Sequence, residues 1–156
     1  MADTSPATDH LTGDELLLWQ SLGRLVHSLP RLLEEDMSRT SVTMTEFAVL
    51  LLLSETPEHR MRMSALAAAS GLTPSRITRI VEGLARHGMV RKERHGRDAR
   101  GSEAVLTEPG LRALRAAQPT HLASARQRVL DHIPADILPG MAAALARLAE
   151  TQQRTR

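Results

Sequence analysis

Residues 63–88, MSALAAASGLTPSRITRIVEGLARHG, decide the fold, because two short helices and a tight turn can be read from them. Ser64 suits a helix N-cap and Gly71 suits a left-handed C-cap, which predicts a first helix over 65–70. A second helix is predicted over 74–87, since proline is favoured at a first helical position and a glycine follows the end. Two short helices joined by a glycine turn are typical of a helix-turn-helix.

The predicted second helix has one apolar face and one face rich in cations. Ile77, Ile80, Val81 and Leu84 recur at helical spacing, so this stripe is expected to pack inward. A recognition helix enters the DNA major groove with its N-terminal end, where an arginine can bond guanine. The alternative interpretation is an ordinary solvated helix face. The candidate DNA-contacting residues of this helix are Ser75, Arg76, Thr78, Arg79 and Arg86.

A β-hairpin is predicted directly after this helix. The alternating stretches MVRKER (89–94) and SEAVLT (102–107) suit two short strands, and the glycine-flanked tip HGRDARG lies between them. Such a hairpin is a wing, whose tip lies in the adjacent minor groove, where negative potential attracts arginine. Asp98 would orient Arg100, and the alternative is a turn residue that bonds its own backbone. The candidate DNA contacts of the wing are Arg94, Arg97, Asp98 and Arg100.

The charge distribution favours a polyanionic partner for this middle segment. Residues 60–101 carry ten basic residues against three acids, a net charge of +7, although the whole chain has a formal net charge of only +2. Residues 1–59 carry three arginines against ten acids, a net charge of −7. Such asymmetry is typical of a nucleic-acid-binding surface, and a solvated basic face is the alternative.

Helical spacing of apolar residues continues on both sides of this segment. Residues 11–37 form one predicted long helix, and two more are predicted over 108–131 and 134–150. Thr43 and Glu46 have the spacing of a capping box, which predicts a further helix directly after Thr43. Prolines inside the long helices are expected to kink or interrupt them. These prolines are Pro30, Pro119 and the Pro139 of a Pro-Gly pair.

These elements predict a mostly α protein with a small β-hairpin wing, in agreement with a chain that has one Trp, one Phe and no Tyr. Residues 1–10 are small, polar and aperiodic, which predicts a disordered tail. Residues 43–107 are expected to form a winged helix-turn-helix region. Residues 11–37 and 108–152 are expected to form a helical dimerisation region, because they have more apolar surface than a small winged lobe can cover.

Several classes of function are disfavoured by the residue types. The chain has no cysteine, which excludes disulfides, thiol chemistry and cysteine-ligated zinc. Its seven histidines include no i, i+4 pair, so no metal site and no cofactor are expected. The motifs of common enzyme classes are missing, and we expect no enzyme. The N-terminus differs from a secretory signal and no apolar run reaches membrane-spanning length, which favours a cytoplasmic protein without membrane contact.

The stretch LTPSRITRIVEGLARHGMVRKERHGRDARGSEAVLTEPG (72–110) resembles the winged helix-turn-helix of the MarR family, the multiple antibiotic resistance regulators. The features that carry this resemblance are the LTPS-type helix start, the TR pair and a D-x-R-G…LT-x-x-G wing. The order of the outer helices is similar too, so the resemblance covers nearly the whole chain. It implies that Arg79 is the recognition-helix arginine and that Asp98 and Arg100 are the wing pair. The chain departs from the pattern in the helix prolines and in lacking a proline before Asp98.

The resemblance also implies an obligate homodimer that binds a pseudo-palindromic site on double-stranded DNA. Many family members are repressors whose DNA affinity falls when a small aromatic or anionic ligand binds between the dimerisation and DNA-binding lobes. For Trp19 and Phe47 a simple core role is the favoured alternative, and the two methionines can fill gaps. The candidate effector-binding residues are Trp19, His27, Met44, Phe47, Arg60 and Met61.

The sequence therefore predicts a DNA-binding transcriptional regulator, a homodimeric repressor that a small-molecule ligand releases. One alternative is a winged helix that serves only as a protein-interaction module. An RNA-binding winged helix, with a preference for single strands, is another alternative.

Overall fold

Six α-helices and a small antiparallel sheet build the part of the chain that the computed structural model describes, residues 10–94 and 101–154. This mostly helical fold with a small hairpin confirms the predicted fold class. The predicted disordered tail, residues 1–10, lies outside the described residues apart from His10. In chain order the elements are α1 (Gly13–Met37), α2 (Met44–Ser54), β1 (Arg60–Arg62), α3 (Met63–Ser70), α4 (Pro74–Arg86), β2 (Val90–Arg94), β3 (Ser102–Leu106), α5 (Glu108–Arg128) and α6 (Leu138–Arg154), with 3₁₀ turns at Pro57–His59 and Leu130–His132.

The hydrophobic core lies between α2, α3, α4, the sheet and the first half of α5. The apolar stripe predicted on the second short helix packs inward on α4, where Ile77, Val81 and Leu84 are at most 1% exposed and Ile80 is partly buried. Burial of a leucine-sized side chain contributes roughly 1.5–3 kcal/mol, so this stripe fixes the orientation of α4 on the core. The opposite face of α4 is thereby turned to solvent.

Local capping residues begin and end the helices mostly where the sequence predicts. Thr43 accepts a hydrogen bond from the Glu46 amide and Glu46 bonds back, so the predicted capping box of α2 is present. Thr73 caps α4, and Gly71 has a φ of +67° at the end of α3, as a left-handed C-cap requires. The prediction that Ser64 caps α3 is wrong. β1 runs straight into α3, so Arg62, with extended backbone, is the N-cap and the helix begins two residues earlier than predicted.

The sheet has three strands in the order β1-β3-β2, all antiparallel. The two wing strands were predicted, whereas β1 was not, because three residues are too few to show an alternating pattern. β1 pairs with β3 in the register Arg60 to Val105, and β2 pairs with β3 in the register Glu93 to Glu103. The base of the wing is therefore a three-stranded sheet anchored to the helix-turn-helix by β1.

The expectation was that prolines would kink or interrupt the long helices, and the interruption does not occur. α1 continues through Pro30 and α5 through Pro119. Both prolines are exposed, so water can bond the carbonyl oxygen that loses its N–H partner. Pro139 lies in the first turn of α6, where the missing N–H has no partner in any case.

The junction between the wing and α5 depends on a close backbone approach. Thr107 caps α5, and its hydroxyl donates a hydrogen bond of 2.6 Å to the Gly88 carbonyl. A Cβ atom on Gly110 would lie 2.0 Å from the carbonyl oxygen of Met89. The Leu-Thr-x-x-Gly sequence of residues 106–110 thus ties the start of α5 to the turn after α4, which explains physically why both residue types are needed there.

Polar contacts join α1 to α5 over a large separation in sequence. Asp36 accepts a bidentate pair of hydrogen bonds from Arg128, at 2.8 and 2.9 Å, and a third from the Ser124 hydroxyl. The Arg128 guanidinium and the Ser124 hydroxyl lower the pKa of Asp36 to about 2. Nearby, the His121 ring lies over Phe47 with 4.4 Å between ring centroids, and burial lowers the pKa of this imidazole. The Asp36 contacts hold the end of α1 against α5, and the ring contact joins α2 to α5.

Large apolar side chains remain exposed on α1, on the second half of α5 and on α6. Trp19 and Leu18 are each 68% exposed, and Leu148 is 53% exposed. The side chains described on α6 are exposed except for Ala144, so this helix buries little against the rest of the single chain. Among residues 10–94 and 101–154, no helix is both long and apolar enough to cross a membrane.

Candidate nucleic-acid interface

The predicted recognition-helix residues lie together on the solvent side of α4. Ser75, Arg76, Arg79 and Arg86 are exposed, and Thr78 is half-buried. The Thr73 side chain accepts a hydrogen bond of 3.3 Å from the Arg76 amide, which fixes the first turn of the helix. The structure therefore brings all five candidates of this helix onto one surface.

The two hydroxyl residues of this surface differ in what they can still bond. The Thr78 hydroxyl donates a hydrogen bond of 2.8 Å to the Pro74 carbonyl, so it can only accept a bond from a ligand. Ser75 lies 3.2 Å from the Thr73 hydroxyl at the helix start. Ser75 is fully exposed at the N-terminal end, which is the end that reaches deepest into a major groove.

A shallow cleft runs from the recognition helix to the second strand. It is lined by Arg79, Glu82, Arg86 and Lys92, together with Ala85. Lys92 was not among the DNA-contacting residues predicted from the sequence, although the alternating pattern of β2 indicates its position. Val90 is buried, so Lys92, two residues later, is on the same face of the sheet. Three cations and one carboxylate give the cleft a positive field.

The cations of this surface are not neutralised by neighbouring carboxylates. In the described part of the chain, Arg76, Arg79, Arg86 and Lys92 have no ion pair with an acidic side chain. By contrast, Arg60, Arg91, Arg112 and Arg128 all lie within 4 Å of a carboxylate oxygen. Cations held without internal partners are available to phosphate oxygens and base edges.

The wing is described only up to its root. Arg94 ends β2 and Ser102 begins β3, so the predicted hairpin is formed. The side chain of Arg94 and residues 95–100 lie outside the described residues, and with them the predicted contacts of Arg97, Asp98 and Arg100. The DNA contacts of these four residues stay predictions.

The wing root carries a cluster of charged side chains on the outer face of the sheet. Arg60 of β1 lies 3.3 Å from the Glu103 carboxylate on β3 and 3.7 Å from that of Glu93 on β2. Its Nε atom lies 3.3 Å from the Glu58 carboxylate in the preceding turn. Arg91 lies 3.2 Å from Glu93 on the same strand. Arg60, proposed from the sequence as an effector residue, is thus surrounded by carboxylates of its own chain.

The other candidate effector residues do not form one group. Phe47 is buried in the core, as the alternative interpretation of the sequence held, and Met44 and Met61 are partly buried against it. Trp19 is 68% exposed on α1, so the core interpretation of this residue is wrong for the single chain. His27 is exposed too, with its Nδ1 atom 2.7 Å from the Gly23 carbonyl oxygen.

The two short helices, the cationic face of α4 and the hairpin that follows define a winged helix-turn-helix protein. Residues 42–102 match the sequence model of the MarR family. Among solved structures, AbsC, a MarR family transcriptional regulator from Streptomyces coelicolor, is 34% identical with a TM-score of 0.84, over 96% of this chain and 100% of that one.

Two further relatives agree with this match. Sco3205, a MarR family regulator from Streptomyces coelicolor solved in complex with DNA, is 30% identical over 94% of this chain and 92% of that one, with a TM-score of 0.85. The transcriptional repressor YetL of Bacillus subtilis is 29% identical over 72% of this chain and 67% of its own length. The chain belongs to the MarR family of transcriptional regulators.

Proposed function

We propose that this protein represses transcription by binding, as a homodimer, a pseudo-palindromic DNA site, and that a small-molecule ligand releases it. The observation that carries the proposal is the exposed face of α4, where Arg76, Arg79 and Arg86 have no acidic partner in the described chain. The likeness to Sco3205, which was solved bound to DNA, and to the repressor YetL supports it.

In this proposal α4 enters the major groove and the wing lies along the backbone. Ser75, Arg76 and Arg79 are near enough to the N-terminal end of α4 to meet base edges. Arg86 and Lys92, in the cleft beside the wing strand, bind phosphates and position the helix. Arg94, Arg97 and Arg100 reach the minor groove, with Asp98 orienting Arg100.

The dimer is supported by the apolar side chains that a single chain leaves in water. They lie on the segments 11–37 and 108–152, which we propose as the dimerisation region, with 43–107 as the DNA-binding region. Isologous pairing would cover α6 and present two copies of α4 to successive major grooves. Half-sites about one helical turn apart follow from that symmetry.

The effector is the least constrained part of the proposal. The exposed Trp19 offers a ring for an aromatic ligand, and His27 on the same helix offers an imidazole for an anionic group. A ligand held there, beside the dimerisation helices, would change the separation of the two recognition helices and so lower DNA affinity. We propose that the chain acts by binding rather than by catalysis, in the cytoplasm.

The test begins with selection from a pool of random DNA duplexes, because it needs no knowledge of the operator. We expect enrichment of an inverted repeat with a half-site spacing near one helical turn. Binding of the selected duplex and of a scrambled duplex is then followed by fluorescence anisotropy at two salt concentrations. A pool without an enriched sequence would contradict specific recognition and favour the protein-interaction alternative.

Two substitutions separate base readout from phosphate binding. Arg79→Ala should weaken binding of the selected duplex by about 1–3 kcal/mol and reduce the preference over the scrambled one. Arg86→Ala should weaken both duplexes similarly and reduce the salt slope by about 1. Arg112→Ala, which removes an exposed cation paired with Glu108 on α5, is the control and should change neither. Wild-type behaviour of Arg79→Ala would show that the groove assignment is wrong.

A further inference from the structure

Two carboxylates face each other across the wing hairpin one residue pair before its tip. Glu93 on β2 and Glu103 on β3 are directly opposite in the strand register. Side chains at such positions have Cβ atoms about 4.5–5.5 Å apart, and like charges there destabilise the pairing of the strands. The hairpin that carries the predicted minor-groove arginines therefore begins with a repulsive pair.

One nitrogen atom of Arg60 offsets this repulsion. Its Nη1 atom is 3.3 Å from the Glu103 carboxylate and 3.7 Å from the Glu93 carboxylate. Arg60 is on β1, which pairs with β3, so the guanidinium links all three strands of the sheet. The Glu58 carboxylate, in the turn before β1, lies 3.3 Å from Nε but accepts no hydrogen bond from it.

The ion pair between Arg60 and Glu103 is costly to remove because the Glu103 side chain is buried. The Glu103 side chain is only 10% exposed, and that of Arg60 is 39% exposed. A partly desolvated carboxylate that loses one of its partners keeps its desolvation cost with less attraction to offset it. Glu103 would also add its negative charge to the field that a DNA phosphate meets at the wing.

We propose that Arg60 is a positioning residue for the wing: by bridging Glu93 and Glu103 it holds β2 and β3 together below the tip and offsets part of the negative charge that would repel DNA. The inference rests on the proposed DNA-binding function for its effect on affinity. It assigns Arg60 to the protein's own wing root instead of to a ligand.

Arg91 provides a matched contrast within the same cluster. It lies two residues before Glu93 on β2, so both are on one face of the sheet, and its guanidinium is 3.2 Å from the Glu93 carboxylate. Its side chain is 65% exposed, and the ion pair stays within one strand. Arg91→Met removes the same charge from the same face as Arg60→Met but breaks no link between strands.

A first experiment compares the affinity of Arg60→Met and Arg91→Met for the selected duplex by fluorescence anisotropy. Arg60→Met should weaken binding about tenfold, within the range of coupling energies for contacting residues, and Arg91→Met at most about twofold. Because wing contacts to phosphate are lost, Arg60→Met should also reduce the salt slope by about 1. Equal effects of the two substitutions would overturn the proposal, since charge alone would then explain them.

A rescue experiment separates charge compensation from damage to the fold. In the triple variant Arg60→Met, Glu93→Gln, Glu103→Gln the carboxylates that need Arg60 are gone, and amide groups can bond across the strands. We expect DNA affinity within about threefold of the wild type, as for a pair replaced as a unit. A triple variant that binds as weakly as Arg60→Met would contradict the proposal.

A second experiment needs no DNA, so it tests the role of Arg60 independently of the proposed function. Amide hydrogen exchange of residues 90–94 and 102–106 should be faster in Arg60→Met than in Arg91→Met, and near wild type in the triple variant. If the wild type has no duplex preference, the proposed function fails while this experiment still decides whether Arg60 joins the strands. If the wild type binds but the exchange rates of all variants match, only the role of Arg60 is wrong.

Discussion

At the scale of single residues, Gly110 lies where the first turn of α5 packs closely against Met89 and Leu106. A methyl group there would lie 2.0 Å from the Met89 carbonyl oxygen and 2.7 Å from a methyl carbon of Leu106. The Met89 oxygen cannot withdraw easily, because it belongs to the backbone and also accepts a hydrogen bond from the Thr107 amide. The residue after the recognition helix is thus coupled directly to the first turn of α5.

Gly110→Ala should lower the free energy of unfolding by about 1–3 kcal/mol through overpacking. Gly83→Ala is the matched control inside α4. The nearest atoms to its new methyl group would be side-chain atoms at 3.8 and 3.9 Å. It should raise stability by up to about 1 kcal/mol, because alanine favours helix. Urea unfolding at fixed protein concentration measures the free energy of unfolding of both variants. If Gly110→Ala does not lower it, the close approach of Gly110 to the Met89 carbonyl oxygen is wrong.

Asp36 predicts a pH dependence of stability. Its folded-state pKa of about 2 is below the ordinary value of 3.8, so folding favours the charged form. Its contribution is fully present above pH 3.8 and is lost as the pH falls towards 2. The stability difference between the wild type and Asp36→Asn should therefore be largest near neutral pH and shrink over that range.

The comparison is made by chemical denaturation at a series of pH values, with Glu35→Gln as the control. Glu35 is the neighbouring carboxylate, but its ion pair with Arg31 lies at the surface within one helix. We expect Glu35→Gln to lower the free energy of unfolding by less than Asp36→Asn does at every pH. An Asp36→Asn difference that does not change between pH 6 and pH 2 would argue against the half-buried ion pair with Arg128.

At the scale of elements, two helix prolines differ in how well their positions suit the geometry of an α-helix. Pro119 is an exposed interior residue of α5, where it removes one backbone hydrogen bond and adds no packing. Pro139 is equally exposed but lies in the first turn of α6. The same substitution should therefore have different effects at the two sites.

Pro119→Ala should stabilise the protein by about 1–3 kcal/mol, since proline in a helix interior costs about 3 kcal/mol relative to alanine. Pro139→Ala should change the thermal midpoint little, because proline suits the first helical turn. Differential scanning calorimetry of both variants is the measurement. A destabilised Pro119→Ala would contradict this expectation and show that Pro119 contributes to packing.

At the scale of the whole molecule, the described chain separates into a well-packed winged lobe and helices that bury little on their own. Several leucines of α1 and α6 are exposed in the single chain, and the proposed homodimer would cover them. In the proposed homodimer, folding and association are coupled, so the thermal midpoint should rise with protein concentration. Scans over a hundredfold concentration range measure this.

Placing charges on the same surface should separate the chains. Leu18→Glu with Leu145→Glu replaces two exposed leucines on α1 and α6, and sedimentation equilibrium should then show a monomer. Ala65→Glu adds the same charge to an exposed position on α3 and should leave the dimer intact. A dimer that survives the double substitution would place the interface elsewhere.

The sequence by itself determined the features that depend on residues within about four positions of each other. Capping by Thr43 and Thr73, the left-handed turn at Gly71 and the apolar stripe of α4 all follow from local hydrogen bonds and helical spacing. The cationic face of α4 followed too, because a stripe that packs inward fixes which residues point outward. The fold class and most of the α4 surface could therefore be predicted.

Only the tertiary structure decided the features that join distant residues. β1, the bridge from Arg60 to Glu103 and the pairing of Asp36 with Arg128 connect positions 43 to 92 residues apart. No local pattern encodes such pairs, because strand order and helix packing choose them after the elements have formed. For the same reason the exposure of Trp19 and the contacts of Arg60 at the wing root could not be predicted from the sequence.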